Sequence, residues 1–68
     1  MSEEMKFFIY LLEQYAYYKH NSAGNILRKW EQYGITQKIY DNHWEYHTEA
    51  IENAFAEIDS LLATSEYA

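Results

Sequence analysis

The sequence predicts an all-α fold, a compact bundle of three to four short helices forming one domain over residues 1–68, on three observations. Apolar residues recur at spacings of three and four almost from end to end. The chain has no Pro and only two Gly, too little turn punctuation for a succession of short strands. Hydrophobic residues make up 49% of it and aromatic residues 19%, which excludes a disordered tail and supplies the material of a core.

Each element has its own signals. Ser2 is a favourable N-cap for a first helix, and Glu3 and Glu4 follow at the positive end of its dipole. Met5, Phe8, Leu11, Leu12, Tyr15 and Tyr18 then share one face, and His20-Asn21 stops the helix. Ser22 caps a second helix with Ala23, Ile26, Leu27, Trp30 and Tyr33 facing inward, closed by Gly34 as a left-handed terminator. Thr36 reads as the cap of a third, shorter helix carrying Ile39, Tyr40, His43 and Trp44. Thr48 followed by Glu49 reads as a fresh cap, so the chain is expected to break there. The last helix has an unbroken stripe of Ile51, Ala54, Phe55, Ile58, Leu61 and Leu62, with Glu49, Glu52, Glu57 and Asp59 on the remaining arc. Residues 64–68 are expected to fray.

Charge narrows the partners. Eleven acids against five bases give a net charge of −6, and seven of the acids follow Lys38, the last base. Nucleic-acid binding needs clustered Lys and Arg to displace counterions, and only Arg28-Lys29 and Lys38 are on offer, which argues against it. The acidic half reads either as a solvated face or as a surface shaped for a basic partner. No apolar run approaches the ~18 residues of a membrane span, and the N-terminus is acidic where a signal peptide is basic, so a soluble cytoplasmic protein is expected. At this size a single core rarely supplies more than roughly 3–5 kcal/mol. With no Cys for a disulfide, further stabilisation has to come from the aromatic residues, self-association or a partner.

Catalytic constellations are missing from the pattern. The serines sit in cap, helix-surface or terminal contexts, and Gly24 and Gly34 are isolated rather than part of a phosphate loop. His43 and His47 share a helix face at i, i+4. The zinc-protease arrangement, however, needs Glu directly after the first His, and Glu45 is two residues on. A structural role for both is expected, with His47 at the chain reversal beside Thr48; a His-based metal or ligand sensor is the alternative. The expectation is therefore a protein that is not an enzyme and takes no cofactor. Helical periodicity turns Tyr10 and Tyr17 away from the core, and Tyr is a favoured interface residue because it offers area and a hydroxyl at little entropic cost. Tyr10, Tyr17, Glu49, Glu52 and Asp59 are the candidate partner-binding residues. Self-pairing as a homodimer is the other use such a surface allows.

Two stretches carry a resemblance. Met5-Lys6-Phe7-Phe8-Ile9-Tyr10-Leu11-Leu12-Glu13-Gln14-Tyr15-Ala16 resembles the opening of a family of small bacterial helical proteins, the domain of unknown function numbered 3791. Ile39-Tyr40-Asp41, then Tyr46-His47-Thr48-Glu49-Ala50-Ile51-Glu52-Asn53-Ala54-Phe55 with Ile58-Asp59, is similar to its closing motif. The likeness covers nearly the whole chain, and the His47-Thr48-Glu49 step and the Ile58-Asp59 pair are its most specific parts. The sequence departs from the family's pattern at Asn42-His43-Trp44-Glu45, so the resemblance assigns no role to His43. It marks Tyr46, His47, Thr48, Glu49 and Asp59 as positions to follow. It implies no established activity. It does imply a genomic neighbourhood beside ADP-ribosyltransferase-like toxin genes, and hence an antitoxin-like protein or accessory subunit.

Overall fold

A computed structural model describes residues 1–66, and over them the chain forms five helices: α1 (Glu3–Tyr18), α2 (Ala23–Gln32), α3 (Ile35–Asp41), α4 (His43–Thr48) and α5 (Ile51–Glu66). The all-α bundle expected from periodicity is what forms, with the expected third helix divided in two. Ser2 caps α1 by accepting the Met5 N–H at 3.1 Å, and Ser22 caps α2 by accepting the Asn25 N–H at 3.1 Å. The end of α1 is a Schellman motif. The His20 N–H donates to the Tyr17 carbonyl and the Asn21 N–H to the Ala16 carbonyl, with His20 left-handed at φ 54°. His is among the few non-Gly residues that enter this region at modest cost.

Gly34, at φ 73°, ends α2 and also starts α3, its carbonyl accepting the Lys38 N–H at 3.3 Å. Gly34 therefore occupies the N-cap position expected for Thr36. Thr36 lies inside the first turn with Oγ1 buried and without a hydrogen-bond partner. Between α3 and α4 the Asn42 N–H still donates to the Lys38 carbonyl, and its own carbonyl still accepts the Tyr46 N–H. Its side-chain Nδ2–H shares that same Lys38 carbonyl at 2.9 Å, and Asn42 itself departs from helical dihedrals at φ −115°, ψ 33°.

Thr48 also differs from its expected role. It is the last residue of α4, not the cap of α5, and its hydroxyl donates back to the Trp44 carbonyl at 2.9 Å. Extended backbone at Glu49 then separates the helices, and the Ala50 carbonyl accepts the Asn53 and Ala54 N–H groups of α5. That last helix is regular through Thr64–Glu66, where fraying was expected; residues 67 and 68 of that expectation lie outside the described residues.

The core is built from one face of each helix. Phe8, Leu11, Leu12, Tyr15 and Ala16 of α1 meet Ile26 and Trp30 of α2, Ile35 and Ile39 of α3, Tyr46 of α4, and Ala54, Ile58 and Leu62 of α5. Met5 and Tyr18, expected on the core face, are exposed at its two ends. Trp44 is 70% exposed, and Tyr46, seven residues after Ile39 and on the same helical stripe, takes the buried place on α4.

An aromatic groove and a latched acid

Packing of α4 against α1 creates an aromatic surface feature. Phe7 lies on the flank of α1, and α4 brings His43 and His47 against it. The Phe7 ring stands edge-on to both imidazoles, at 5.4 and 5.5 Å between centroids, while the imidazoles stack 5.3 Å apart. Three rings at the corners of a nearly equilateral triangle thus join α1 to α4. They line a groove of about 780 Å³ together with Tyr10, Trp44, Tyr46, Glu49 and Ile51, and with Glu3 and Lys6 from the first turn of α1. Glu3 and Lys6 pair with each other at 3.5 Å.

The imidazoles are poorly arranged as metal ligands. Their planes are within 9° of parallel and stacked, so in-plane lone pairs run alongside each other instead of converging. Among the described residues no group of three His, Cys, Asp or Glu is placed to hold a metal ion. His47 stands edge-on to Phe7 and stacks on His43, one residue before α4 ends at Thr48.

Two groove residues have informative polar atoms. Tyr46 is buried, and its phenol is pushed up to about 12, first by burial and then by the negative charges of Glu57 and Glu49. Glu49 is half-buried, and its Oε1 is sealed from solvent with no hydrogen-bond partner. Burial without a donor is an expensive arrangement for a carboxylate oxygen.

The remaining candidate residues are dispersed. Tyr10, 54% exposed, is part of the groove, whereas Tyr17, 82% exposed, lies two turns further along α1 outside it. Glu52 is exposed in the first turn of α5. Asp59 is engaged inside the fold: its Oδ1 accepts the Tyr15 hydroxyl at 2.5 Å and pairs with Lys19 Nζ at 3.0 Å. Lys19 also lies over the rings of Tyr15 and Tyr18, and Tyr18 stacks on Phe55 at 4.9 Å. This cluster latches the end of α1 to α5. Periodicity missed the half-buried Phe7 and the exposed Trp44 as groove residues; the available signal was the i, i+3 spacing of Phe7 and Tyr10.

The latch has a measurable hierarchy. The Lys19–Asp59 pair is more than a third exposed, so Lys19→Ala is expected to cost no more than about 1 kcal/mol. Asp59→Ala strands the buried Tyr15 hydroxyl and is expected to cost about 1–3 kcal/mol. Most of that cost should vanish in the Tyr15→Phe background, and urea denaturation of the four chains of this cycle reads it directly. Additive costs for Tyr15→Phe and Asp59→Ala would show that the bond contributes nothing.

These features define a small helical protein with a groove lined by aromatic rings from α1 and α4. A family model described as "Protein of unknown function (DUF3791)" matches residues 6–65, and the chain belongs to that family. The matched span includes every groove residue named above except Glu3. No curated protein and no solved structure matches the chain significantly. Among the described residues, no helix is long and apolar enough to cross a membrane.

Proposed function

We propose that this chain is a non-enzymatic interaction module of the bacterial cytoplasm, an antitoxin-like or accessory subunit that binds the protein encoded beside it. The observation that carries this reading is the pair Tyr10 and Trp44, large aromatic side chains left in solvent on the walls of one groove. Exposed Trp and Tyr at a concavity have the composition of interface hot spots. The net charge of −6 and the exposed Glu52 near the groove residue Glu49 favour a basic partner, speeding encounter and opposing acidic competitors. The family resemblance makes an ADP-ribosyltransferase-like toxin the partner of choice. An enzyme binding an anionic dinucleotide keeps a basic cleft, which an acidic helical module would cover.

Co-expression with the neighbouring gene product is expected to give one complex on a sizing column, and Trp44→Ala is expected to weaken it at least tenfold. Independent migration of the two proteins would reject the pairing. Light scattering on the purified chain separates this reading from self-pairing: a monomer is expected, and a stable dimer burying Trp44 would favour the homodimer instead.

A further inference from the structure

Helix α4 is the most lightly anchored of the five. It contributes one buried side chain, Tyr46, where α2 and α3 contribute two each and α1 five. Four of its six residues, His43, Trp44, Tyr46 and His47, line the groove, which reaches down to the core residues Leu11 and Ala54. The helix therefore rests on a seat that its side chains do not fill, held by Tyr46 and by the contacts of Phe7 with the two imidazoles. Both of its ends leave helical geometry, at Asn42 and at the extended Glu49, and no side chain caps its start. At its far end the Glu49 Oε1, sealed without a donor, burdens the closed arrangement. Release of the segment gives that oxygen water.

We propose that α4 is a lid: the segment from His43 to Glu49 leaves its seat and unwinds as a unit while the other helices stay folded. Six residues do not persist as a helix in water once their packing is gone, so release and unwinding are one event. Such partial openings lie below global unfolding in free energy and involve the elements with fewest buried apolar groups. Closed, the lid places Trp44 in the same groove as Tyr10. Open, it withdraws Trp44 and takes Tyr46 out of the core. The lid thus sets how much of the population has an aromatic groove at all, and any ligand of the groove binds more weakly in proportion to the open fraction. The device operates whatever the partner is.

Native-state hydrogen exchange of the full chain, read by NMR in low urea, tests it. The Tyr46 N–H, bonded to the Asn42 carbonyl, reports on α4, and the Leu11 and Ile58 amides report on the core helices α1 and α5. After correction for intrinsic rates, Tyr46 is expected to exchange about tenfold faster or more than both, with a weaker urea dependence, because a local opening exposes little surface. Phe7→Ala is expected to speed Tyr46 further than it speeds Ile58. Glu49→Met, which removes the sealed oxygen and keeps the length, is expected to slow Tyr46 about threefold and leave Ile58 unchanged. A Tyr46 amide exchanging in step with Leu11 and Ile58, or sharing their urea dependence, would overturn the lid, as would variants that move all three amides equally. The wild-type comparison decides even if a variant fails to fold.

Discussion

Trp30→Ala is expected to abolish the folded state, whereas Trp44→Ala is expected to leave it intact. Trp30 is fully buried and binds the core together, with its ring 5.8 Å from Phe8 and 5.4 Å from Tyr15. Removing a buried Trp costs about 3–5 kcal/mol, which equals the roughly 3–5 kcal/mol that a core of this size supplies. The two quantities cancel. Helices of seven and six residues, as α3 and α4 are, do not persist in water without tertiary packing. Far-ultraviolet circular dichroism therefore reports the loss of the core as a loss of helix. Trp44, mostly in solvent, should cost within about 0.5 kcal/mol of nothing on truncation. A cooperative melt for Trp30→Ala within a few degrees of the parent chain would overturn this account of the core.

What the sequence discloses follows how local each determinant is. Ser2, Ser22 and Gly34 act through hydrogen bonds and backbone angles within a few residues, and each occupies the role its context implies. The stripe on α5 is legible for the same reason. Thr36 and Thr48 mislead because a stronger local solution competes with each. Gly34 both ends one helix and begins the next, leaving Thr36 no cap to make. Thr48 turns its hydroxyl back onto Trp44 rather than forward. Trp44 is the instructive failure. It lies four residues after Tyr40, but the buried face runs from Ile35 and Ile39 on to Tyr46, seven residues after Ile39 and on the same helical stripe, and Trp44 is left outside it. Outward placement of Tyr10 and Tyr17 survives because α1 is one unbroken helix. The groove could not be read, since it joins Phe7 to His43, His47 and Glu49 across some forty residues of sequence, and periodicity has no reach between elements. Asp59 shows the converse: an acid on the polar arc by its spacing is drawn inward by a phenol on another helix.

Alkali is the second severe test, because the fold hides two phenols. Tyr46 is raised to about 12 by burial, aided by Glu57 and Glu49; Tyr15 is raised further by burial, its hydrogen bond to Asp59 and that residue's charge. A phenol with a raised folded pKa is more willing to ionise in the unfolded chain, whose tyrosines titrate near 10. Its stabilising contribution is thus complete below pH 10 and is lost as pH climbs toward the folded value. Each such group erodes stability by about 1.4 kcal/mol per pH unit within that window, so Tyr46 alone removes about 2 kcal/mol by pH 12. Tyr15 doubles the slope. Against a total of a few kcal/mol, the protein is expected to unfold cooperatively between pH 10 and 12, well before every phenol ionises. Tyrosinate absorbance followed with circular dichroism should show Tyr15 and Tyr46 ionising only as helix is lost. Tyr46→Phe should flatten the fall in melting temperature across that window, since it removes one titrating group while keeping its ring in the core. A melting temperature unchanged from pH 10 to 12, or complete ionisation of all eight phenols in a still-helical chain, would show that neither hydroxyl is held as described.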